Sequence, residues 1–219
     1  MSDSRPIPAA AGIPRSAVTG LVLAGGRGSR MGGVDKGLQQ HAGLPLAQHA
    51  LQRLRPQVGA LMVNANRNLE VYRAMGAPVW PDAWPEYPGP LAGMAAGLDH
   101  CTTPWLATVP CDTPGFPQDL VERLRDAVCE QGAELAMAAT RDADDQVQLQ
   151  PVFCLLGTAL LPSLQAFLQR GQRKIDRWTA LHRCAVVVFE RSEDFDNANT
   201  PEELERIGRL NAGRSGPGS

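Results

Sequence analysis

Residues 20–37, GLVLAGGRGSRMGGVDKG, set the reading of the whole chain. The stretch opens as an apolar run of the kind that forms a buried strand, then empties into a glycine-rich loop carrying Arg27, Arg30 and Lys36. Glycine lets backbone N–H groups come close to an anion, and the basic side chains supply charge, so the composition suits a loop that holds anionic oxygens. Two standard phosphate loops are excluded. A dinucleotide fingerprint counted from Gly26 and Gly28 needs its third glycine where Met31 stands. A Walker A loop needs Gly-Lys-Ser/Thr, whereas Lys36 lies between Asp35 and Gly37.

Outward from this loop, strand and helix patterns alternate. TGLVLA reads as a strand, PLAQHALQRLRPQV as a helix begun by Pro45, and ALMVNA as a second strand, which together make a β-α-β opening. A helix near Leu69 to Met75, a short strand at APVWPD, a helix within GPLAGMAAGLDHC and a strand at WLATVP continue the alternation. Pro117 and Asp119 then open an amphipathic helix that Gly132 closes. Further strands are expected at ELAMAAT, VQLQPVFCLL and CAVVVFE, and helices across GTALLPSLQAFLQRG and RKIDRWTALH. A closing helix is expected in TPEELERIGRL, with Thr200 as N-cap and Pro201 at its first position. This alternation implies an α/β fold with a mostly parallel central sheet and helices on both faces. Ligands of such sheets bind beyond the carboxyl ends of the strands, where the glycine loop and PCDTPG both fall.

With 219 residues, 43% of them hydrophobic, the chain suits one domain, placed at 18–210, with residues 1–17 and 211–219 read as mobile ends. A net charge of −2 gives no basic field for nucleic acid, so a phosphate site must be local. The five cysteines are widely spaced and form no C-x-x-C, which argues against a disulfide framework or zinc ribbon. The Pro-interrupted head lacks the apolar core of a secretory signal, and no run is long enough to span a bilayer, so a cytoplasmic location without membrane partners is expected.

LAGGRGSRMGGVDK resembles the signature of the nucleotidyltransferases related to sugar-nucleotide pyrophosphorylases, and within them most resembles the molybdenum cofactor guanylyltransferases, the MobA family. VNAN at 63–66, YPGPLAGM at 87–94, PCDTP at 110–114 and NANTPEEL at 197–204 follow in the family's order. The resemblance implies a single-domain, Rossmann-like nucleotidyltransferase fold. It also implies transfer of GMP from GTP to molybdenum-molybdopterin, giving pyrophosphate and the guanine dinucleotide form of the cofactor. The partners implied are GTP and the molybdopterin substrate, with molybdoenzymes or molybdenum-insertion proteins receiving the product. Gly28 departs from the serine that many relatives carry.

By the same resemblance Leu23, Ala24 and Gly25 contact GTP, Lys36 reaches its phosphates, and Asn64 and Asp82 contact the nucleotide. Asp112, a hard oxygen donor at a strand's carboxyl end, becomes the Mg²⁺ ligand. Lys36 and Arg30 supply positive charge to the reacting phosphates, although Arg30 also suits a structural ion pair. Asn197 and Asn199, two apart in an extended segment, present both amides on one side, and the family uses this motif around the pterin substrate. Arg173 and Lys174 suit a substrate phosphate or a solvated helix face equally well. Gly89 and Gly93 would let main chain approach a flat base. Cys111 has no His partner and is rejected as a nucleophile. The rival readings are a cytidylyltransferase acting on the same cofactor, a transferase with a sugar phosphate acceptor, and a non-catalytic carrier of nucleotide or cofactor.

Overall fold

The structure, a computed structural model, describes residues 12–24, 35–83 and 89–198. In chain order these form β1 (Val18–Leu23), the short strands β2 (Gln40–His41) and β3 (Leu44–Pro45), α1 (Leu46–Leu54), β4 (Ala60–Asn64), α2 (Leu69–Arg73), β5 (Val79–Trp80), α3 (Pro90–His100), β6 (Trp105–Pro110), α4 (Leu120–Gln131), β7 (Leu135–Arg141), β8 (Val147–Gly157), α5 (Leu161–Gln169), α6 (Ile175–Thr179) and β9 (Cys184–Phe189). The closing helix expected within 200–210, residues 1–11 and the tail 211–219 lie outside the described residues.

Seven strands make one sheet in the order β5-β4-β1-β6-β8-β7-β9. Four neighbouring pairs are parallel, and β8 alone runs against both of its neighbours. Connection length explains the exception. A turn over residues 142–146 joins β7 to β8, and only an antiparallel pair can be closed so tightly, whereas the connections that carry helices return parallel strands. The sheet is therefore mostly parallel, as the alternation implied.

Its two faces are covered by different helices. Along β1, Val18 and Val22 join a cluster containing Leu51 and Leu54 of α1 and Leu120 and Leu124 of α4. Leu21 and Leu23 join a second cluster with Leu91 and Met94 of α3, Leu164 of α5 and Trp178 of α6. Successive side chains of a strand point to opposite faces, so a strand buried on both sides has to read as a continuous apolar run. α1 starts after Pro45 and buries Leu46, Ala47, Ala50, Leu51 and Leu54, which lie on one side at helical spacing. α4 ends at Gly132, whose φ of 58° suits glycine at the residue that stops a helix.

Two details differ from the sequence expectation. The β2–β3 hairpin, turned by Ala42 and Gly43 with φ of 47° and 81°, has strands too short to leave a period-two pattern. At the amino end, Ile13 packs against the core, Arg15 donates to the Pro56 carbonyl at 2.9 Å, and Arg125 donates to the Ile13 carbonyl at 2.9 Å. Packing thus begins before residue 18, the expected domain boundary.

Candidate active site

The parallel register of β4, β1 and β6 sets Asn64, Leu23 and Pro110 side by side at the carboxyl edge of the sheet. Hydrogen bonds beyond the strands keep this row together: Ala24 N–H donates to the Asn64 carbonyl at 2.8 Å, and Cys111 N–H to the Leu23 carbonyl at 3.0 Å. Asp112 follows directly. Its Oδ2 lies 3.4 Å from Lys36 Nζ, an approach between residues 76 apart in sequence. The two side chains are 36% and 19% exposed, so both groups reach solvent at this edge rather than filling the core.

Beside this pair lies an amide–carboxylate network. Asn64, buried at the end of β4, donates through Nδ2 to the Trp80 carbonyl at 3.1 Å and to Asp82 Oδ1 at 2.8 Å. Asn66 donates to Asp82 Oδ2 at 2.8 Å and accepts from the Asp82 backbone N–H at 2.8 Å. The two predicted nucleotide contacts thus touch each other. Asn66, which the sequence reading passed over, fixes the second oxygen. Its signal was present in VNAN, where spacing of two puts two amides on one side. A side chain at Gly93 would run into Asn64 Oδ1 and lie 2.6 Å from Leu23, so this glycine lets α3 close onto the strand ends.

The segment after β9 also reaches the row. Ala198 N–H donates to the Asp112 carbonyl at 2.6 Å, and Thr113 Oγ1 donates to Asn197 Oδ1 at 2.8 Å. Asn197 is thereby brought to the Asp112 loop. Arg173 follows α5 and donates to the carbonyls of Leu168 at 3.3 Å and Gln172 at 3.0 Å, so it helps to close the carboxyl end of that helix. Gly25, Arg30 and Asn199 lie outside the described residues. Cys111 is buried, and burial, then the charges of Asp112 and Asp35, push its thiol well above the ordinary range. It is held as the neutral thiol.

Among the described residues no three His, Cys, Asp or Glu side chains cluster as a protein-only metal cage. One carboxylate facing a crevice is nevertheless the donor set that suits Mg²⁺, which commonly takes one or two carboxylates and completes its shell with substrate phosphates and water.

The model of the MobA-like NTP transferase domain matches residues 20–185. The molybdenum cofactor guanylyltransferase of Bordetella petrii is 62% identical over 195 residues, covering 89% of this chain and 99% of its own. The chain belongs to this family. Among other MobA-type relatives, the molybdenum cofactor guanylyltransferase of Acidovorax ebreus is 59% identical, covering 87% of this chain and 94% of its own. Molybdopterin-guanine dinucleotide biosynthesis protein A from Archaeoglobus fulgidus superposes with a TM-score of 0.68 at 20% identity, over 89% of this chain and 99% of that one. The 4-diphosphocytidyl-2C-methyl-D-erythritol synthase of Anaerococcus prevotii reaches the same TM-score of 0.68 at 12% identity, over 91% of this chain and 98% of that one. These two share the MobA-like fold. The protein is a nucleotidyltransferase, and its resemblance to the MobA family at the signature loop holds along most of its length.

Proposed function

We propose that the protein transfers GMP from GTP to molybdenum-molybdopterin, forming the guanine dinucleotide form of the cofactor and releasing pyrophosphate. The observation that carries this reading is the meeting of Lys36 and Asp112 at 3.4 Å on the carboxyl edge of the sheet. The high identity to named molybdenum cofactor guanylyltransferases selects guanylyl transfer over its rivals.

A terminal phosphate oxygen of the pterin substrate attacks the α-phosphorus of GTP. The new O–P bond forms as the bond from the α-phosphorus to the bridging oxygen breaks, and the electron pair leaves with pyrophosphate. A phosphate monoester is already ionised near neutral pH, so no residue has to remove a proton. Lys36 places positive charge against the phosphates as negative charge builds on the leaving group. Asp112 would hold Mg²⁺, which when bound would supply further neutralisation of phosphate charge. Asn64 and Asp82 read the nucleoside, Asn66 holding Asp82 in place. Leu23, Ala24, Gly25 and Arg30 are assigned to the nucleotide, and Asn197, Asn199 and Arg173 to the pterin substrate. The enzyme works in the cytoplasm and hands its product to molybdoenzymes or molybdenum-insertion proteins. Among the described residues no helix is long and apolar enough to cross a membrane.

The test supplies the protein with Mg²⁺, molybdopterin and molybdate, and offers GTP, ATP or CTP separately. Pyrophosphate together with guanylylated pterin from GTP alone is the expected result. Product from CTP would move the chain to cytidylyl transfer, and nucleotide binding without pyrophosphate in any mixture would make it a carrier.

A further inference from the structure

We propose that Tyr72 is a positioning residue for Lys36, acting through Asp35 and Gly37 on either side of that lysine. This rests on the reading of Lys36 as the lysine that meets the phosphates.

Asp35 and Lys36 are neighbours with opposite surroundings. The Lys36 side chain opens to the crevice, while that of Asp35 is only 8% exposed. A carboxylate so enclosed has to be compensated, and one short segment around α2 does so. Tyr72 Oη donates to Asp35 Oδ1 at 2.6 Å, Asn68 Nδ2 donates to Oδ2 at 2.9 Å, and Arg67 Nε lies 3.7 Å from the same oxygen. Asn68 adopts a left-handed backbone, φ 52°, at the start of α2. Burial, then Asp35, raises the pKa of the Tyr72 hydroxyl far above its ordinary value, so it remains a donor.

On the other side of Lys36, Gly37 is pressed on the same tyrosine. A methyl group there would collide with the Tyr72 hydroxyl and lie 3.2 Å from Cζ of the ring. The chain on both sides of Lys36 is thus fixed to one buried side chain. A tight turn adds to this, with Leu38 N–H donating to the Asp35 carbonyl at 3.1 Å and Gln39 N–H to that of Lys36 at 3.1 Å. A lysine has a long flexible stem, so the position of its ammonium depends on how firmly its backbone is held. Tyr72 is fully buried and belongs to the core cluster, so it acts on the crevice only through the neighbours of Lys36.

The experiment is a double-mutant cycle on the full chain, reading GTP-dependent pyrophosphate release and thermal unfolding in Tyr72→Phe, Lys36→Ala and the double variant. Tyr72→Phe keeps the ring and removes the hydroxyl alone. It should lower kcat about tenfold, with a smaller change in the KM for GTP, because misplacement of a transition-state contact is felt mainly in turnover. In the Lys36→Ala background the same substitution should change kcat by less than about twofold, while its effect on Tm stays the same. Asp35→Asn sets an amide donor against Asn68 and Arg67, and should behave alike in the same cycle if Tyr72→Phe does not fold. An equal loss of kcat with and without Lys36 would make Tyr72 merely structural and overturn the proposal, as would unchanged turnover in Tyr72→Phe alone. Full activity in Lys36→Ala would overturn the reading of Lys36, and the positioning with it, in a pattern distinct from either.

Discussion

The partial exposure of Lys36 and Asp112 lets solvent screen their attraction, so the pair adds little to stability and its removal should be felt in turnover. Lys36→Ala is expected to lower kcat by about 10²- to 10³-fold, the range for losing one charge-stabilising donor, with Tm almost unchanged. Asp112→Ala should abolish divalent-metal-dependent turnover and leave a folded protein; the same metal dependence in that variant would refute the ligand assignment. Cys111 beside it is a different case, because burial holds it as a thiol. Iodoacetamide near neutral pH should leave it unlabelled in the native protein and label it after denaturation, as peptide mass spectrometry would read. Lys36, Asp112, Asn64 and Asp82 were legible as residue types inside local motifs. Asn66 stood in VNAN as a second amide, but its partner Asp82 lies 16 residues on, and Tyr72 gave no signal, because its role comes from a partner 37 residues away in the chain.

The turn between β7 and β8 shows what one carboxylate does for an element. Asp142 accepts from the backbone N–H of Gln146 at 2.8 Å, the side chain of Gln148 at 2.8 Å and the backbone N–H of Asp144 at 3.0 Å. These bonds favour the ionised form, Gln146 most, and hold its carboxyl below the usual range. Since the folded pKa is the lower one, the stabilisation is complete above the unfolded value of about 3.9 and is lost as pH falls through the folded value. Asp142→Ala should therefore melt below the parent protein at pH 7, with the gap closing toward pH 3. In α1, Leu51→Ala should cost about 2–5 kcal/mol in denaturant unfolding, the usual penalty for an emptied core position. Helices of this kind announced themselves through Pro45, Gly132 and apolar spacing. The β2–β3 hairpin did not, since two residues per strand cannot display alternation.

Across the whole molecule, β1 is buried throughout and hydrogen-bonded on both edges, while β9 stands last in the sheet. Amide exchange should find residues 18–23 among the slowest, opening only with global unfolding, and β9 faster. The sequence showed which segments are strands. It held no marker for their lateral order, because β6 and β7, consecutive in the chain, are separated in the sheet by β8. Another long-range contact has a consequence in time. Asp112 and Lys36 lie in the part of the chain made first, yet the Asp112 carbonyl takes the N–H of Ala198, and Ala198 is buried against Leu46 at the head of α1. A ribosome working from the amino end thus releases Lys36 and Asp112 long before the strip that bonds to the Asp112 loop. The nascent protein completes the surroundings of Asp112 only when translation has passed β9, so a chain halted before residue 198 lacks the bond that ties the Asp112 loop to its carboxyl-terminal strip.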